Sequence, residues 1–117
     1  PITAGRTEAE RVRRVVTFTG QSLGAVRGTP LLLLGGGATD FVPPPPRFAP
    51  RPAAGRSQGI ALEHGDGRVV VLAEAAAWTA QVDDHGHRFG MQLPTNDNAR
   101  FALNVMRWLA GADRARR

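Results

Sequence analysis

The chain has 117 residues, enough for one small domain. It has no cysteine, which excludes disulfides, thiolate metal sites and a cysteine nucleophile. Its net charge is +5 and all of its basic residues are arginine. These are scattered apart from Arg11/Arg13/Arg14 and Arg114/Arg116/Arg117, and no stacking aromatics interleave those clusters, which argues against a nucleic-acid surface.

Residues 1–5 (PITAG) read as a turn, and Thr7-x-x-Glu10 has the spacing of a capping box opening one helical turn. Residues 15–19 (VVTFT) are rich in β-branched side chains and predict a strand, followed by a loop punctuated by Gly20, Gly24 and Gly28. Residues 30–34 (PLLLL) predict a second strand, buried on both faces because polar residues do not alternate with the leucines. The Gly35–Gly37 triplet cannot serve as a phosphate loop, since prolines 43–46 forbid the helix such a loop needs. Residues 40–52 are expected to form an extended, polyproline-like surface excursion.

Residues 58–64 and 68–73 predict two strands joined by the hairpin loop Gly65-Asp66-Gly67. The second of them, RVVVLA, is also expected to be buried on both faces. Glu74 stands where it ends, and the alanine-rich residues 75–82 predict a helix. Residues 83–88 (DDHGHR) form a polar turn. Asn96-Asp97-Asn98 supply capping side chains for a closing helix that runs to Ala110 and stops at Gly111. Along that helix Arg100, Asn104 and Arg107 share a wet stripe. Phe101, Leu103, Val105, Met106, Trp108 and Leu109 form a wide apolar face. The inventory is four strands, one long helix, one short helix and a proline-rich loop, in a single α/β domain over residues 1–112 with a basic tail at 113–117. One long helix covers only one face of such a sheet, which predicts layers supplied by an upstream half-domain or a second copy. No apolar run is long enough to span a membrane.

Three segments carry a resemblance: PITAGR at the start, VVTFTGQSL at 15–23, and GRVVVLAEAAAWTAQ with GMQLPTNDNARFALNVMRWLAG near the end. In this order they resemble the C-terminal part of bacterial class I glutamine amidotransferase-like domains, in the non-catalytic branch distantly related to trehalose-utilisation (ThuA-like) proteins. The resemblance implies a flavodoxin-like mixed sheet with flanking helices, whose first half lies upstream of Pro1. Catalytic members need a cysteine on a strand-to-helix elbow and a late His-x-Glu pair. This chain has neither, and its Glu63-His64 is in the reverse order.

The best polar cluster is Glu74, Thr79, Gln81, Asn96, Asp97 and Asn98, because strand ends and helix starts converge on one crevice in α/β folds. Helix capping accounts for the acids equally well. Asp83, His85 and His87, with Asp84 beside them, offer a weaker metal site of the zinc type. Ser22 and Ser57 lie outside any Gly-x-Ser-x-Gly elbow. The expectation is therefore a domain without catalysis of its own, binding a small ligand or acting as a scaffold, with no cofactor. The alternatives are a ThuA-like enzyme on carbohydrate-related small molecules through Glu74 and Asp97, or a metal-binding domain through His85 and His87. Neither cytoplasmic nor exported location is distinguished.

Overall fold

A computed structural model describes residues 1–24, 27–43 and 47–112. The centre of the proline run and the basic tail lie outside these. The chain is α/β in character, with three small antiparallel sheets and one α-helix among the described residues. The expected mixed sheet is replaced by pairings that are all antiparallel among the described strands.

The main sheet has the order β1-β4-β5, from Thr29–Leu33, Ser57–His64 and Gly67–Leu72. The hairpin between β4 and β5 is as the glycines require: His64 pairs with Gly67 across a two-residue turn. Helix α1, Asn98–Leu109, lies against one face of this sheet. The core gathers Ile2, Leu31, Ala61, Phe101, Val105 and Trp108, with Val70, Leu72 and Trp78 packed on it. Trp78 meets Phe101 edge-on, with ring centroids 6.1 Å apart. Burying Phe101 completely contributes about 2–3 kcal/mol.

Neither strand expected to be buried on both faces is so. β5 alternates exposed and half-buried, with Val69 and Val71 open to solvent, and Leu33 of β1 is 67% exposed. The apolar runs lack polar alternation because the second face is apolar too; it is open to solvent along β5 and closed at Ile60 of β4. Leu31 and Leu32 both pack towards the core, and Leu32 does so with φ at 55°, a left-handed kink that breaks the strand's alternation.

Either side of the undescribed residues 44–46 the chain is paired, where an unpaired excursion over 40–52 was expected. β2 (Thr39–Val42) pairs with β3 (Ala49–Pro52). The proline spacing permits it. The Ala53 N–H donates to the Ala38 carbonyl, so the bonded pairs of this ladder fall at 38/53, 40/51 and 42/49. Pro50 and Pro52 occupy the alternate positions, whose missing N–H groups would point outward, so no ladder bond is lost and that edge is sealed.

Three other expectations are corrected. Residues 15–19 form no strand, and Thr19 lies in a bend. Residues 75–82 form a single 3-10 turn, Ala76–Trp78, and then strand β6 (Ala80–Val82), which pairs with β7 (Arg88–Gly90). Thr7 opens a 3-10 turn, Glu8–Glu10, without a side-chain cap, because the Glu10 carboxylate accepts instead from the N–H and guanidinium of Arg6. Helix α1 ends as the glycine foretold: Gly111 has φ at 72°, and the N–H groups of Gly111 and Ala112 reach back to the carbonyls of Trp108 and Arg107. Its faces divide differently from the reading above. Asn104 is buried, donating to the carbonyls of Ile2 and Glu10, whereas Leu103 and Met106 are half exposed.

Candidate functional site

Glu74 follows β5 and is buried, 8% exposed. Its carboxylate accepts from the N–H groups of Ala76 at 2.7 Å and Ala77 at 2.8 Å, closing the 3-10 turn. Thr79 adds a bond from its hydroxyl to the Ala76 carbonyl at 2.7 Å. The turn cannot lengthen into the expected helix because β7 crosses it. A Cβ on Gly90 would stand 2.1 Å from the Thr79 carbonyl oxygen and 2.6 Å from that of Ala76, and φ at Gly90 is 63°. Only glycine allows this approach.

The helix start is fastened to the same turn. Asn96 accepts from the Asn98 N–H at 3.0 Å, an Asx turn, and donates to the Gly90 carbonyl at 3.1 Å. Asn98, 1% exposed, donates through Nδ2 to the carbonyls of Val16 at 2.8 Å and Ala77 at 3.1 Å, and accepts from the Val16 N–H at 2.9 Å. Asp97 stands at the N-cap position but its side chain does not cap. It accepts from the N–H groups of Arg13 (2.7 Å) and Arg14 (3.0 Å), and Arg100 pairs with it. The Arg13 and Arg14 amides, followed by the charges of Arg100 and Arg13, hold its carboxyl below the usual range.

Glu74, Thr79, Asn96 and Asn98 are thus brought together around Ala76–Trp78 and Gly90, while Asp97 faces away from that turn towards residues 13–14. Gln81 stands apart, exposed on β6. It lines a small apolar cleft of about 190 Å³ with Val16, Phe18, Ala77 and Phe89. Phe18 and Phe89 meet edge-on there, 6.4 Å between centroids. The other five cluster residues do not line that cleft. Their polar atoms are spent on backbone groups, apart from the Asp97 oxygen that pairs with Arg100. This gives rigid junctions and no pairing of a nucleophile with a base.

Asp83 does the same for the β6–β7 turn. One carboxylate oxygen accepts from the N–H groups of His85 (2.9 Å) and His87 (2.8 Å), and the other stands 2.8 Å from the His87 Nδ1. Burial pushes this carboxyl up, but the bonds from His87, His85 and Gly86 outweigh it and the net shift is downward. The His85 and His87 rings lie 6.1 Å apart, and no trio of ligating side chains able to hold a metal ion occurs among the described residues.

Two clusters escaped the sequence reading. Asp40 accepts from the Ser22 hydroxyl, and Arg56 donates to that same hydroxyl at 2.5 Å, tying the root of the β2–β3 pair to the body. Arg68, its side chain only 6% exposed, lies 4.9 Å over the Trp108 ring, donates to the Trp108 carbonyl and stands 3.6 Å from Glu63. A cation suits that helix end. It stands at the wall of an open hollow of about 950 Å³ that His64, Arg27 and Thr29 also line. No local motif signals either cluster, since each joins residues far apart in sequence. Comparison with protein-family models, curated proteins and solved structures finds no match to this chain.

Proposed function

We propose that this chain is a non-catalytic, amidotransferase-like domain that binds a partner or ligand, or acts as a scaffold, within a larger protein or assembly. One observation carries the reading: the sheet face opposite α1 is apolar and open to solvent along β5, at Val69 and Val71, while Ile60 on the same face is buried. The spending of Glu74, Asp97 and Asn98 on backbone groups supports the absence of catalysis. The ordered motifs of the sequence support the kinship. In this reading the domain completes a flavodoxin-like layer arrangement only in its assembly. The described strands are all antiparallel, so this reading requires any parallel strands to be supplied by other polypeptide.

The test is dye binding to the open face. The purified chain is expected to enhance the fluorescence of anilinonaphthalene sulfonate at neutral pH, and Val69→Thr with Val71→Thr to remove most of that signal without changing near-UV circular dichroism. A natively folded chain that leaves the dye dark has a covered face, and the scaffold reading then loses its support.

A further inference from the structure

Residues 12–17, which join no strand, run beside the outer edge of β1, and a slot of about 570 Å³ lies between them. Backbone groups of an extended chain point alternately to its two sides. The N–H of Arg13 and the N–H and C=O of Arg14 are bonded to Asp97, and the N–H and C=O of Val16 to Asn98, so from Arg14 onward the even residues face the start of α1. The N–H and C=O groups of Val15 and Thr17 then face the slot. They hydrogen-bond to no described residue, although both residues are half-buried. The slot is closed at one end by the Gln58 side chain on the Thr19 carbonyl, and at the other by the Val12 N–H on Thr3. Its opposite wall is β1, where Leu32 and Leu34 offer apolar surface but Pro30 and the kink at Leu32 make a poor ladder. Arg13 and Arg14 line it and no acid does; Arg13 pairs with Glu8, while Arg14 makes no ion pair with any described residue.

We propose that this slot takes one extended strand of a partner protein, about four or five residues long, in which apolar and acidic side chains alternate. Main-chain bonds to Val15 and Thr17 give it register. The apolar side chains pack on the leucines of β1, and an acid meets Arg14. This deepens the scaffold reading by naming a partner, yet it stands on the slot alone and not on the amidotransferase resemblance.

The probes are two acetylated heptapeptides, one alternating glutamate with valine and one alternating lysine with valine, titrated into the ¹⁵N-labelled chain. The glutamate peptide is expected to slow amide exchange at Val15 and Thr17 by about tenfold or more while leaving Val16, already bonded, unchanged. The lysine peptide is expected to do so only with the Arg14→Glu variant; should that variant lose its near-UV signal, Arg14→Gln is expected to abolish the preference. Protection by neither peptide, or equally by both, overturns the proposal. So does protection of Val15 and Thr17 in the free chain: sedimentation then assigns the occupant to a second copy if dimeric, or to the chain itself if monomeric. Failure here with dye binding to the sheet face intact removes the strand partner and leaves the scaffold reading standing.

Discussion

Replacing Asn98 by alanine probes the junction on which the N-terminal segment depends. Its amide makes three hydrogen bonds, two to Val16 and one to Ala77, and the side chain is almost wholly buried. Truncation strands three backbone groups. Each bond is worth about 1 kcal/mol net, and a buried group left unpaired costs about 1–3 kcal/mol. Ala77 is buried and bears that cost, whereas Val16 is half-buried and water can reach part of it. The expected loss is therefore about 3 kcal/mol, and a domain of this size loses roughly 4 °C of Tm for each kcal/mol. Urea unfolding followed by the fluorescence of Trp78 and Trp108 measures it. Asn98→Asp sharpens the test. The aspartate keeps the acceptor for the Val16 N–H but turns an anion towards two carbonyls, so at neutral pH it is expected to be no more stable than alanine, and to recover as acid protonates it. A loss under about 0.5 kcal/mol for Asn98→Ala, the level of an ordinary surface substitution, would refute the reasoning.

Two further outcomes follow from the same geometry. The Arg6 side-chain and main-chain bonds, with the charges of Arg6 and Arg107, hold the Glu10 carboxyl at about 2 against an ordinary 4.5. Because the folded value is depressed, its contribution is complete above about pH 4.5 and is lost as pH falls towards 2. The Tm gap between the wild type and Glu10→Gln is expected to close across that window in a pH series of thermal melts. Gly90→Ala forces a Cβ against two carbonyl oxygens in a left-handed conformation. It is expected to cost about 3 kcal/mol or more, and to collapse the dispersion of β6 and β7 resonances.

How much of this was legible in the sequence varies with how local the cause is. The β4–β5 hairpin and the close of α1 at Gly111 follow from short-range chemistry, and both were readable. Residues 15–19 have strand composition, but whether a strand pairs depends on a neighbour. Here the Asn98 side chain takes the ladder's place at Val16. The alanine-rich segment after Glu74 has helical propensity, yet the crossing of Gly90 over the Thr79 and Ala76 carbonyls stops it after one turn. Tertiary contact overrode propensity there. Prolines suggested an unpaired excursion, and only the alternation of Pro50 with Pro52 betrays that a ladder tolerates them. Of the polar cluster, Glu74 and the three residues 96–98 were recognisable as strand-end and helix-start groups. That Asp97 would reach back to residues 13–14 was not, because the contact spans most of the chain.

The most direct test of the central claim is the thermal melt of Glu74→Ala beside Asp97→Ala. Residues kept for catalysis or ligand binding are often a burden on stability, and removing them commonly leaves Tm unchanged or raises it. Residues that fasten backbone lower it when removed. Glu74 holds two amides of the 3-10 turn and Asp97 holds two of residues 13–14. Both variants are therefore expected to melt several degrees lower, each losing about 1–3 kcal/mol. An unchanged or raised Tm in either variant would contradict the account and return that carboxylate to the candidates for a functional site.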